Sequence, residues 1–188
     1  LTGYQFKADA PAQILVWSWF VRLTHWLVAI LVIINFFNDT GWWHRVIGYI
    51  LIALVFSRLL FGLIAGRKAS IDTTAQAARM WWPSLADIKQ HLREIGAGRL
   101  TPSLGHNPLG QLAAYAIWLL IFGLACTGWL SRTDMLWGED WPVDVHRWFS
   151  NALQIMVLVH ITAVILMSRL QKQNLILSML HGRKSKSE

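Results

Sequence analysis

Four apolar runs constrain this chain more than anything else in it. They cover about residues 14–37, 44–65, 109–130 and 145–170. Each meets or exceeds the ~20 residues that a helix rising about 1.5 Å per residue needs to cross roughly 30 Å of hydrocarbon. Lipid offers no partner to an unpaired peptide group, so spans of this kind are helices. The predicted fold is an all-α integral membrane four-helix bundle, up-down-up-down, forming a single domain over residues 1–188. Composition agrees: 55% of residues are hydrophobic and 14% charged, where a soluble domain carries about a quarter as charges. A disordered chain is excluded, and an ordinary soluble enzyme is disfavoured. The first run is too long, and too closely flanked by tryptophans, to read as a separate signal peptide. The lone cysteine, Cys126, lies inside the third run, so neither an internal disulfide nor a cysteine cluster is available.

Charge sets the expected orientation. Residues 66–108, between the two hairpins, hold Arg67, Lys68, Arg79, Lys89, Arg93 and Arg99, and the tail adds Arg169, Lys172, Arg183, Lys184 and Lys186. The connection 38–43 has no Lys or Arg, while 131–144 has Arg132 beside Asp134, Glu139, Asp140 and Asp144. Lys/Arg bias therefore places residues 66–108 and both termini in the cytoplasm. The net charge of +7 then reads as topology, and no nucleic-acid partner is expected. Trp17, Trp19, Trp42, Trp43, Trp129, Trp137, Trp141 and Trp148 fall at the expected interfaces, where an amphipathic indole prefers the headgroup layer. Residues 73–95 read as a helix lying on the cytoplasmic surface, interrupted by Pro83.

Ionisable residues inside hydrocarbon are expensive and usually face the bundle interior or a cofactor. His25, His44, His146 and His160 sit in or at the ends of the runs. Any one alone would read as a packed histidine; their arrangement says more. His146 and His160 are 14 residues apart, which returns the second to within about 40° of the first and about 21 Å along the helix. Given the orientation above, His44 shares the outer depth with His146, and His25 the inner depth with His160. Two neutral imidazoles facing across a bundle suit the axial positions of a b-type haem, so two haems are expected. No C-x-x-C-H motif is present for covalent attachment. Zinc fits less well, because it takes three or four neighbouring ligands.

Several other residues suit the same picture. Gly48, Gly123 and Gly128 would let a porphyrin approach a helix, or equally let two helices pack. Arg58 follows His44 by 14 residues and so returns to about the same face at the inner level. Arg22, one turn before His25, and Arg147, beside His146, are further cations that could meet haem propionates; snorkelling to lipid headgroups is the competing reading.

The runs VRLTHWLVA, HRVIGYILIALVFSRLLFGLIAGRK, GHNPLGQLAAYAIWLLIFGLACTGW and HRWFSNALQIMVLVH resemble the bacterial cytochrome b561 and nickel–iron hydrogenase cytochrome b family. The likeness extends over about residues 16–184 and includes the tail MLHGRK. The resemblance implies a dihaem cytochrome b that passes electrons between a redox partner and the quinone pool. It implies His25, His44, His146 and His160 as the iron ligands. Formate dehydrogenase gamma subunits look like distant relatives, with a quinone beside the cytoplasmic haem near an Asn–Gln pair. Asn107 and Gln111 stand in similar places, and Gln171 is a further candidate. Asn107–Pro108 also reads as a plain helix start. His106 reads as a loop histidine, with proton delivery to quinone as the sharper alternative; His91 and His181 read as solvent or headgroup residues.

The leading functional expectation is transmembrane electron transfer in the bacterial inner membrane. A periplasmic partner, such as a cytochrome c or a dehydrogenase or hydrogenase subunit, would stand at one end and quinone at the other. The chain lacks obvious extra loops for docking a large periplasmic enzyme, although the acidic 131–144 turn would suit a basic partner. The runner-up is an enzyme in its own right, a superoxide:quinone oxidoreductase of the b561 type. The outer acids Asp39, Asp134, Glu139, Asp140 and Asp144 weigh against it, because they repel an anion. A haem-free anchor or metal transporter is the third class, and the absence of a b-type absorption band would identify it.

Overall fold

The computed structural model describes residues 13–67, 73–98 and 105–185. In chain order these form β1 (Gln13–Leu15), α1 (Trp19–Phe37), α2 (Gly41–Gly66), α3 (Thr73–Ala78) and α4 (Leu85–Gly96). There follow α5 (Pro108–Leu130), a single 3₁₀ turn at Asp134–Leu136, α6 (Trp141–Leu170), α7 (Leu175–His181) and β2 (Arg183–Ser185). Helices α1, α2, α5 and α6 are each long and apolar enough to cross a membrane. The protein is an all-α membrane bundle.

The helix boundaries depart from the hydropathy runs for local reasons. The first run begins near residue 14, but the helix begins at Trp19, because Ser18 caps it through Oγ on the Val21 N–H. Gln13, Ile14 and Leu15 instead pair antiparallel with Ser185, Lys184 and Arg183. Helix α6 starts at Trp141, four residues before the fourth run, with Pro142 in the first turn, where a missing N–H costs nothing. The surface segment 73–95 is broken earlier than Pro83 alone required. Helix α3 ends at Ala78, and α4 restarts at Leu85 behind a reciprocal Ser84–Asp87 capping box. Pro83 disfavours helical geometry at Trp82, and the box supplies the new start.

Helix α5 packs on α6, α1 on α2, and α2 on α5. By contrast, α1 with α6 and α2 with α6 are not among the closely packed pairs. A middle core of Val32, Leu51, Val55, Ile121 and Leu153 joins the four helices. Large side chains such as Leu119, Phe122, Ile155 and Leu158 are more than half exposed around it. In a bilayer those side chains are the lipid-facing surface, and their exposure is the expected state.

The two ends of the bundle differ. At the terminal end, where β1 and β2 meet, a second core gathers Val16, Trp17, Val21, Ala65, Ala75, Ala77 and Ala78. The Gly182 carbonyl accepts from the Val16 and Trp17 N–H groups at 2.7 and 3.0 Å. Gly182 has φ +80°, and a Cβ there would stand 2.7 Å from the Trp17 oxygen, so both its backbone and its contacts call for glycine. Thr73 Oγ1 donates to Leu15 O at 3.0 Å, and Trp26 Nε1 to Met179 O at 3.4 Å. At the opposite, loop end stands one exposed ion pair, Arg147–Asp144 at 2.9 Å. His91 corrects an expectation. It is 5% exposed, with Nε2 buried and without a hydrogen-bond partner, because α4 docks on α5 instead of facing solvent on that side. His181 is exposed.

Candidate functional site

The bundle sets four imidazoles against one another in two pairs. His44, in the first turn of α2, faces His146 of α6 at the loop end, with ring centroids 5.9 Å apart. His25 of α1 faces His160 of α6, with centroids 6.4 Å apart. Within α6 the two levels are separated by about 21 Å of helical rise. A metal with imidazole nitrogens about 2 Å away on opposite sides would hold the ring centres roughly 6 Å apart. Both pairs fit that spacing. The helices that bear each pair do not pack closely on each other, so the side chains approach across gaps. Among the described residues, no group of three or more His, Cys, Asp or Glu side chains comes together as a metal cluster. Two facing imidazoles at each depth would suit a group that takes two ligands from the protein.

At the loop end the surroundings fix the rings. His44 Nδ1 lies 2.7 Å from the Asn38 carbonyl. A carbonyl only accepts, so Nδ1 carries the proton and the Nε2 lone pair is left for a metal. His146 Nδ1 lies 3.0 Å from Thr127 Oγ1. That hydroxyl donates to the Gly123 carbonyl at 2.7 Å, so it accepts from His146 and sets the same tautomer.

Between the rings lies a cavity of about 400 Å³, lined among others by Asn35, Arg45, Gly48, Gly128 and Arg132. That volume falls in the range of small-molecule and cofactor sites. The glycines divide in function. Nothing stands within 4 Å of where a Gly48 Cβ would be, and a Gly128 Cβ would crowd His146 Cε1 at 3.2 Å; both glycines line the cavity. A Gly123 Cβ would meet the Phe149 ring at 2.9 Å, so Gly123 serves the packing of α5 on α6. Asn35 presents a buried Oδ1 without a partner. Of the outer acids only Asp39 lines the cavity.

The terminal-end pair is set differently. His25 Nδ1 is buried without a hydrogen-bond partner. Arg58 is 8% exposed and directs both terminal nitrogens at the Ala78 carbonyl, at 3.4 and 3.5 Å. Arg22 turns away, donating to the Leu180 carbonyl of α7. Arg147 is exposed in its pair with Asp144. The Asn107 side chain caps α5, accepting from the Gly110 N–H at 2.7 Å, and Gln111 is buried in the first turn behind it. Gln171 is half-buried at the end of α6.

His106 packs edge-on to Trp17, with centroids 5.0 Å apart. Burial pushes its pKa down to about 3, reinforced by Arg58, Lys184, His25 and His160 within electrostatic reach. Lys184 Nζ lies 5.6 Å over the Trp17 ring and donates to the Gly105 carbonyl at 3.3 Å; burial lowers its pKa to about 8. Sequence reasoning missed Asn35, Thr127, Arg45, Arg132 and Lys184. Asn35 and Thr127 carried a signal, each being a polar residue inside an apolar run.

A multi-pass bundle that opposes imidazoles across its interior defines a membrane protein of the cytochrome b kind. The family model for prokaryotic cytochrome b561 matches residues 16–182, and the chain belongs to that family. None of the curated proteins compared with it matches. Membership implies haem b binding and electron transfer in a bacterial membrane.

Proposed function

We propose that this protein carries electrons across the bacterial inner membrane through two b-type haems, between a periplasmic redox partner and the quinone pool. The supporting observation is the pair of facing imidazoles at each of two depths, 5.9 and 6.4 Å between ring centroids. In this reading His44 and His146 hold the outer haem, His25 and His160 the inner one, and both termini lie in the cytoplasm. Iron held in this way changes oxidation state by one electron, which is the chemistry the cofactor supplies. The protein's own residues do the rest. Asn38 O and Thr127 Oγ1 hold the two outer imidazoles by Nδ1 and would leave each Nε2 free to take the iron. The apolar middle core lies between the two levels, and Gln111 and His106 stand at the inner end, where a quinone would approach.

The test is haem content with a reductive titration of the purified protein. Two b-type haems per chain are expected, and His160→Ala is expected to remove the inner one while the outer spectrum persists. Loss of both haems, or of neither, overturns the pairing.

A second reading, superoxide:quinone oxidoreductase, is favoured by one observation: Arg45 and Arg132 line the outer cavity, where Asp39 is the sole acid. A cationic mouth attracts a small anion and raises its local concentration. Superoxide would leave as dioxygen after giving up one electron; two such electrons and two protons convert a quinone to quinol. Rapid haem reduction by superoxide, slowed at high salt and in Arg132→Glu, supports this reading. Reduction that is insensitive to both salt and the substitution rejects it.

A further inference from the structure

The bundle buries the Arg58 guanidinium, and no carboxylate among the described residues is paired with it. Arg58 is 8% exposed, and its hydrogen bonds to the Ala78 carbonyl, at 3.4 and 3.5 Å, lie at the weak end of the range. The Trp118 ring, 5.8 Å from the guanidinium carbon, adds a cation–π contact but no countercharge. Among the described residues the one ion pair is Arg147–Asp144. Asp87 is engaged by Ser84, and Glu94 accepts from Gln90. A guanidinium held out of water without an anion is strongly unfavourable. Its seat is nevertheless built closely. Gly62, one turn further along α2, has no side chain where a Cβ would stand 2.6 Å from Met80 Cγ and 3.2 Å from Arg58 Nη1.

Position says which anion would suit it. Arg58 lies about 21 Å along α2 from His44 and within about 40° of its face. That face is turned toward His146, and Arg58 is within electrostatic reach of His25. Of the neighbouring cations, Arg22 gives a terminal nitrogen to the Leu180 carbonyl while its Nε is buried without a partner, and Lys184 donates to the Gly105 carbonyl over the Trp17 ring. We propose that Arg58 receives a propionate carboxylate of the haem held between His25 and His160, and so fixes which way that haem's acidic edge points. This rests on the haem reading above. A quinone carbonyl would accept a hydrogen bond but bring no charge, so it leaves the buried cation uncompensated.

The experiment uses purified, quinone-depleted protein and three variants: Arg58→Gln, Arg58→Lys and His160→Ala. In Arg58→Gln the inner-haem midpoint is expected to shift to lower potential, or inner-haem content to fall, while the outer haem is unchanged. Removing a nearby cation disfavours the reduced, less positive iron. Arg58→Lys keeps the charge and is expected to return the midpoint most of the way. A glutamine variant with unshifted midpoint and full inner-haem content overturns the proposal, as does a lysine variant that behaves like the glutamine one. A defect seen in quinone reduction alone, with spectra and midpoints intact, also overturns it and assigns Arg58 to quinone. If the glutamine variant does not fold, wild type is compared with Arg58→Lys by redox-difference infrared spectroscopy. A moved propionate stretch is then expected, and an identical carboxylate region overturns the proposal. His160→Ala separates the two ideas: full inner-haem retention there rejects the underlying haem reading itself.

Discussion

At the loop end, two imidazoles face each other over a cavity of about 400 Å³, each with Nδ1 held by a neighbouring oxygen. At the terminal end the facing pair sits next to a core that β1, α3 and α7 help to build, and His25 Nδ1 has no partner. One site is oriented by hydrogen bonds and open to its surroundings. The other is covered by packing and surrounded by Arg58, His106 and Lys184. Equal ligand geometry at two depths therefore does not mean equal environments. Hydrogen bonding to the ligand, burial and local charge all tune a bound haem. The comparison predicts two unequal redox centres, the outer one reached from the aqueous side.

The largest test of that difference is His146→Ala, expected to abolish the outer haem and leave the inner haem spectrum and midpoint in place. Equal loss at both levels would show that the ends are not independent. Next is Thr127→Val, which removes the oxygen facing His146 Nδ1. Loss of such an outer-shell partner typically costs about 10–100-fold in metal affinity. The outer haem should therefore dissociate more readily in a competition with apomyoglobin, and the inner should not.

Gly123→Ala, which would drive a Cβ against Phe149, is expected to cost about 1–3 kcal/mol, read as a lower unfolding temperature. The last test belongs to the capped end. His106 titrates near 6.5 when unfolded and about 3 when folded. The unfolded state thus binds more protons between those values, and stability falls as pH drops through that window. The protection factors of the β1–β2 amides, with the intrinsic pH dependence of exchange divided out, should fall from pH 6.5 to 4 in the wild type and change less in His106→Phe.

The spans and both histidine pairings could be read from sequence, because helix length and a 14-residue repeat on one face are local properties. The strand at Gln13–Leu15 could not. Ile14, Leu15 and Val16 are as apolar as the helix that follows, and hydropathy does not register the turn at Ser18. His91 was misplaced for a related reason: its burial depends on α4 docking on α5, a tertiary fact. Arg22 and Arg58 both read as cations near the inner level, with snorkelling weighing more on Arg22. Contacts distant in sequence separate them: Arg22 meets the Leu180 carbonyl, 158 positions away, and Arg58 the Ala78 carbonyl and the Trp118 ring.

The ladder that joins residues 13–15 to 183–185 also dictates a sequence of events during biosynthesis. Its second strand leaves the ribosome after all four membrane helices have been made, so the clasp forms last. Until then Trp17 lacks the Gly182 carbonyl and the Lys184 side chain that lie against it, whereas His44 and His146 already have the oxygens that orient them. The newborn protein can thus complete its outer site first and seal its inner one only when the tail returns to the head.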